Sequence, residues 1–345
     1  MTAVEEPAQR RGGRRGRGGR GEVSLVPEMA PTSYYGQPVI KHPIWTPEIG
    51  IYFFTGGLAG GSAMLAAAAR AQGNDVLARR ALLTSLASLA VSPPLLIKDL
   101  GRPERFYNML RVFKVTSPMS VGSWVLTGIG GAVGVASACE VLGILPRVKR
   151  VAEVGGALLG PPLATYTAVL LADTAVPAWH EARYELPFVF AGSALASAGA
   201  AACVLTPPQC ARMARALTVG GAALELAGVE AMQRRVPTEV GEPYRSGTPG
   251  KFGRAARALT GTGALTVALA GRRRRPAVLG GLAVLAGAMC ERWAVFTAGR
   301  ASAAEPRYTV EPQRRRVEQR QRQSADSRTP PPQPAAVKAA TDTKS

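Results

Sequence analysis

Between residues 48 and 299 the chain repeats one pattern: a run of about 17–25 apolar or small residues, then a short charged block. A bilayer core of roughly 30 Å takes about 20 helical residues to cross. Eight runs qualify, at about 48–69, 80–98, 118–142, 151–174, 186–206, 211–232, 255–271 and 276–299. The seventh is the shortest and begins after Arg254 and Arg257. A chain inside lipid must satisfy its backbone hydrogen bonds within each segment, which runs of this length do as helices. Gly, Ala, Ser and Thr are frequent throughout, as they are where membrane helices pack closely. The competing reading is a large buried core of a soluble helical protein, and eight consecutive runs with short polar connections weigh against it. The expected class is an all-α integral membrane protein, with about eight transmembrane helices in packed bundles.

Charge divides the chain further. The net charge of +19 is concentrated in the ends and in short blocks. Residues 1–44 contain RRGGRRGRGGRG and read as a basic, disordered Gly/Arg-rich tail. No apolar run follows the arginines directly, so they make a poor export signal. Gly/Arg runs can bind nucleic acid. The favoured reading is a solvated arm near anionic lipid or acidic partners, with no specific nucleic acid. Residues 45–303 form the membrane domain, and 304–345 read as a second disordered tail rich in Arg, Gln and Pro.

Eight crossings return both ends of the domain to one side, here called the N-side. Each ionisable residue then acquires a depth. Glu48 opens the first run in Thr46–Pro47–Glu48, a helix start with Pro in the first turn. Lys98 and Asp99 close the second run on the N-side, and Ser117, Ser120 and Trp124 open the third there. Asp173 closes the fourth, and Glu225 and Glu230 lie in the N-side half of the sixth. In the eighth, Arg292 beside Glu291 sits roughly 10 Å deep at about 1.5 Å per residue. Glu140 and Glu153 lie at the opposite rim, next to the basic RVKR. Buried charge in lipid is costly, so such groups face a cavity or one another. The alignment predicts a polar pocket near the N-side boundary. The bland alternative, side chains reaching out from helix ends, suits Lys98 and Glu230 but not Glu225, which sits within LTVGGAALELAGVE.

The block KDLGRPERFYNMLRVFKVTSPMSVGSW, Lys98 to Trp124, caps that pocket. Gly101 allows a bend and Pro103 ends a helix. Ser117 and Pro118 restart one as N-cap and first helical residue. RFYNMLRVF is amphipathic enough for a short helix at the membrane interface. This block resembles the signature of the NrfD / polysulfide reductase membrane-subunit family. IYFFTGGLAGGSAML resembles that family's first span, TYTAVLLADTAVPAWHEARYELPFVFAGSALASAGAA its fourth and fifth, and ERWAVFTAGRASAAEPRY its last span and exit. The likeness covers roughly residues 42–310, with gaps at spans six and seven.

The resemblance implies an anchor exchanging electrons between a membrane quinone, menaquinone or ubiquinone, and a four-cluster-type iron–sulfur subunit. That partner in turn serves a molybdenum or tungsten bis-pterin catalytic subunit. It also implies a quinone pocket near the boundary facing the iron–sulfur partner, and a place in the plasma (inner) membrane. The residues fit an anchor without metal. The two His, His42 and His180, lie outside the runs where a haem would need them. Cys139, Cys203, Cys210 and Cys290 are scattered singly, so no haem and no iron–sulfur cluster is expected in this chain.

Quinone chemistry moves two electrons and two protons, and asks for donors to the carbonyl oxygens, proton carriers and apolar walls. The candidates for proton chemistry are Asp99, Glu48 and Glu225. Those for binding are His42, Tyr166, Arg102, Ser117, Trp124 and Arg292. Each has a structural alternative. Tyr166 reads equally as a tyrosine bonded to a helix carbonyl, and His42 as an exposed loop residue. Asp99 and Arg102 also read as a pair fixing the loop, and Glu225 with Arg292 as a buried ion pair. Lys and Arg in short loops are nearly balanced between the sides. The basic tails tip the termini toward the cytoplasm. Two further readings stay open: a small-solute or ion transporter, and a purely structural anchor.

Overall fold

The computed structural model describes residues 39–326, with side chains to 321. The expectations for the Gly/Arg run and for the chain beyond 326 fall outside these residues. Each of the eight apolar runs is a long helix. In chain order these are α1 (Pro47–Ala71), α2 (Asp75–Asp99), α3 (Pro118–Leu142) and α4 (Pro146–Ala172), then α6 (Leu186–Leu205), α7 (Arg212–Arg235), α9 (Gly247–Leu269) and α10 (Arg274–Ala304). Short helices α5 (Pro177–Glu181) and α8 (Thr238–Arg245) sit in the connections, and α11 (Arg307–Asp326) follows the last long helix. No strand occurs among the described residues. The chain is an all-α, multi-pass membrane protein. Six of the long helices are long and apolar enough to cross a bilayer; α7 and α9 are not.

Local sequence explains the helix ends. Thr46 is extended and Pro47 takes the first helical position of α1. Gln72–Asn74 turns the chain into α2, with Gly73 at φ 72° and the Asn74 side chain accepting from the Leu77 amide at 3.1 Å. Ser117 caps α3 by accepting from the Ser120 amide at 3.4 Å, as the SPMS pattern predicts. Gly143 ends α3 in the left-handed conformation at φ 67°. Pro93–Pro94 and Pro161–Pro162 lie inside α2 and α4, and both helices continue through them.

The long helices form two sets, α1–α4 and α6, α7, α9 and α10, joined where α1 packs on α6 and α10 and α4 packs on α6. α1 and α6 are the central pair, 72 % buried over their apolar windows, against 33 % for α2 and α3. Small residues permit the crossings. A Cβ on Gly60 would lie 2.5 Å from the carbonyl oxygen of Gly160, so α1 and α4 meet there backbone to backbone.

The two ends of the bundle are distinct. On the N-side the Tyr244 hydroxyl donates to the Ala178 carbonyl at 3.1 Å, and Arg235 of α7 pairs with Glu185. At the far end the Asn74 amide donates to the Cys210 carbonyl at 2.7 Å, and Arg274 donates to the Thr206 carbonyl at 2.8 Å. Residues 307–326 lie within the stretch read as a tail from residue 304. They form α11, held by Arg315–Glu239 at 2.8 Å, Arg316–Glu181 at 2.5 Å and Arg307–Glu242 at 3.1 Å. Composition alone reads as a tail because α11 has no apolar stripe; its anchors are ion pairs to α5 and α8.

Candidate functional site

A small, partly enclosed cavity opens between the N-side ends of α1–α4. α1 supplies Ile49, Tyr52 and Phe53 after Trp45, and α4 supplies Tyr166 and Leu170. α2 ends there with Leu96 and Asp99, and the loop and α3 close it with Met109, Met119 and Ser123. The walls are mostly aromatic, aliphatic and thioether groups, and the polar side chains are few. The Tyr52 and Tyr166 hydroxyls are hydrogen-bonded to each other. Tyr52 is 1 % exposed, with its ring edge-on to Tyr166 at 6.4 Å between centroids. Gly122 on α3 makes this possible, since a Cβ there would run into the Tyr166 ring.

Asp99 is held from across the site. Its Oδ1 accepts from both the backbone amide and the hydroxyl of Thr46, each at 2.8 Å. The last residue of α2 thereby caps the entry to α1. Oδ2 has no hydrogen-bond partner among the described residues, and the residue lines the cavity. Glu48, on the first turn of α1, pairs with Lys98 at 2.5 Å, a second tie between the same helix ends.

The structure therefore joins Asp99 and Tyr166 in one cavity, with Glu48 beside the tie that closes it. It does not bring in the other candidates. His42 is exposed, with Nδ1 3.2 Å from the Pro43 carbonyl oxygen. Arg102 is exposed and makes no ion pair with Asp99, so the expected loop-fixing pair is replaced by Asp99–Thr46. Ser117 serves as the α3 cap. Trp124 is exposed on α3, edge-on to Phe113 at 6.2 Å. Tyr52 is the residue that sequence reasoning passed over. Its position one turn after Glu48 places it at the same depth as the other N-side groups, which is the signal that would have found it.

Glu225 and Arg292 belong to a separate buried group among α6, α7, α9 and α10. Arg292 is 1 % exposed and lies over the Phe190 ring, 3.6 Å from its centroid. One guanidinium nitrogen donates to the Phe190 carbonyl at 2.8 Å, and Nε is 3.8 Å from Glu291 Oε2. Glu225 accepts from the Thr260 hydroxyl at 3.3 Å rather than from Arg292. Phe53 stands between this group and the cavity, packed on Phe190 and Phe296 at 6.0 and 6.3 Å. Among the described residues no cluster of His, Cys, Asp and Glu is arranged to hold a metal ion.

Comparison with curated proteins gives no match. The family model for "Polysulphide reductase, NrfD" matches residues 38–222, more than half of the chain. The match runs from just before α1 into α7 and includes the whole cavity; the likeness of the last span lies outside it. The cavity-bearing helices α1–α4 and the central helix α6 thus carry the match, and the chain belongs to the polysulphide reductase NrfD family.

Proposed function

We propose that the chain is the quinone-reactive membrane subunit of an oxidoreductase complex. It passes electrons between the membrane quinone pool, menaquinone or ubiquinone, and an iron–sulfur subunit serving a molybdenum or tungsten bis-pterin enzyme. The observation that carries this reading is the cavity at the N-side ends of α1–α4, apolar except for the Tyr52–Tyr166 pair, Asp99 and Ser123. A quinone ring needs flat apolar walls, and Trp45 and Phe53 provide them. Its carbonyl oxygens need donors. Tyr52 and Tyr166 share one hydrogen bond between two hydroxyls, which leaves one O–H for a substrate oxygen. Oxidising a quinol releases two electrons and two protons. Asp99 Oδ2 is the acceptor at hand for a proton, and Glu48 with Lys98 lies next on the way to the N-side surface.

In this reading α7 and α9 also cross the bilayer, giving eight crossings with both ends of the domain on one side. Their ends alternate between the two ends of the bundle, which supports it. The basic tails favour a cytoplasmic N-side in the plasma membrane, with the iron–sulfur partner docking there. A transporter would be supported by helices broken at mid-membrane; α2 and α4 run on through their proline pairs.

The test is purification from native membranes, metal analysis, and quinol oxidation by wild type and Tyr166→Phe. Iron with molybdenum or tungsten should copurify. The variant should keep the complex and lose activity about a hundredfold, the usual cost of one well-placed donor. A complex without these metals, or a variant as active as wild type, overturns the reading.

A further inference from the structure

The cavity does not end at Met109. A second, more open hollow adjoins it and shares Leu96, Met109 and Ser123 as common walls. It runs between α2 and α3 under the 3-10 helix Pro103–Leu110. Its lining is almost wholly apolar: Pro93 and Ile97 from α2, Phe106 and Leu110 from the 3-10 helix, Leu126 and Gly130 from α3. On α3 the lining reaches from Ser123 to Gly130, a descent of about 10 Å along the helix away from the N-side end.

We infer that cavity and groove are one bent site, with the head of a quinone between the tyrosines and Asp99 and its polyprenyl tail laid along the α2–α3 groove. The inference rests on the quinone reading and adds where the tail lies and what the groove selects. Three observations carry it. The two hollows lie side by side with Leu96, Met109 and Ser123 lining both, so whatever occupies the head cavity has an apolar hollow beside it. The groove heads toward the middle of the bilayer, where a polyprenyl chain is most stable. α2 and α3 are the least buried of the apolar helices, so the groove opens toward lipid rather than into the protein. Met109 stands at the bend, and its unbranched side chain adapts to a head passing into the cavity. The 3-10 helix roofs the groove with Phe106 and Leu110 while leaving Phe106 44 % exposed. A long-tailed quinone is thus held along its first isoprene units, and a tailless one by its head alone.

Gly130 offers a clean test. A Cβ there meets nothing within 4 Å, so a leucine side chain starts from open space at the groove. Gly134, one turn further along α3, is equally open and is not part of the lining. The full chain, in lipid nanodiscs with whatever subunits copurify, is titrated with a polyprenyl naphthoquinone and with its tailless parent. Binding is followed by quenching of tryptophan fluorescence, since Trp45 lines the head cavity. In Gly130→Leu the midpoint for the tailed quinone should rise about tenfold relative to that for the tailless one. Gly134→Leu should keep the wild-type ratio, which also removes the quinones' different partitioning into lipid from the comparison. An unchanged ratio in Gly130→Leu overturns the inference and leaves a phospholipid acyl chain as the groove's occupant. An equal rise for both quinones overturns it as well, because the substitution then acts on the head. Wild-type protein that binds neither quinone brings down the quinone reading itself, and the groove's role with it.

Discussion

The same four helices end in opposite ways. At the far end α1–α4 are clamped by charge. Arg70 in the last turn of α1 reaches Asp75 of α2 at 2.6 Å, Glu140 of α3 at 2.8 Å and Glu153 of α4 at 2.9 Å, and Lys149 also holds Glu140 at 2.9 Å. At the N-side end they surround a cavity, tied by Asp99–Thr46 and Glu48–Lys98 between the ends of α1 and α2 and by the Tyr52–Tyr166 hydrogen bond between α1 and α4. At the far end Arg70 and Lys149 pair with three carboxylates, while at the N-side end Asp99 and the hydrogen-bonded tyrosine pair line a cavity. A closed end allows an open one: helices fixed at one terminus and packed through Gly60 and Gly160 in the middle hold their other ends in place without filling the space between them.

The largest expected effect breaks the clamp. Arg70→Leu leaves Glu153, whose side chain is 2 % exposed, without its partner. Losing one member of a buried pair costs about 3–5 kcal/mol. Thermal unfolding in detergent should shift down by many degrees, whereas Tyr166→Phe should unfold near the wild-type temperature. Equal stability in all three proteins would remove the contrast between the ends.

Asp99 separates structure from chemistry. Asp99→Asn retains an oxygen to accept both Thr46 bonds, and Asp99→Ala loses them. The alanine should destabilise by about 1–3 kcal/mol and slow quinol oxidation. The asparagine should be nearly as stable as wild type and still lose at least tenfold in kcat through the missing proton acceptor. If asparagine is fully active, Asp99 is a cap alone.

A smaller effect is expected at Gly122. Valine there pushes against the Tyr166 ring and should raise KM for quinol several-fold, with a smaller change in kcat, because it crowds the site without removing a hydroxyl. A fall in kcat with KM unchanged would argue that the ring's position matters to the chemistry and not to binding.

The smallest effect lies outside the membrane, at α11. Glu239 is held below the usual carboxylate range by its own backbone amide and, next, by Arg315. Its contribution is present above the ordinary carboxylate pKa and is lost as pH falls through the lowered one. Hydrogen-exchange protection over residues 307–321, corrected for the intrinsic pH dependence of amide exchange, should therefore fall on acidification, with that of α1–α4 unchanged. Protection independent of pH would mean that Arg316–Glu181 and Arg307–Glu242 hold α11 without Glu239.

Much of this architecture is legible in the sequence. The eight apolar runs mark the eight long helices, because each is long enough to form a helix of bilayer length on its own. Ser117–Pro118, Asn74 and Gly143 mark helix ends through contacts within a few residues. The alternation of runs places Asp99, Glu48 and the start of α3 at one end, and with them a pocket. What tertiary structure alone decides is which of the N-side groups meet. Tyr52 and Tyr166 are 114 residues apart and Thr46 and Asp99 are 53 apart, so no local pattern reports their bonds. Glu225 and Arg292 share a depth with the cavity residues but lie beyond Phe53, because depth is a one-dimensional quantity and the helices pack in three. α11 escapes a composition-based reading for a related reason: its order comes from arginines meeting acids of α5 and α8, partners that only the fold supplies.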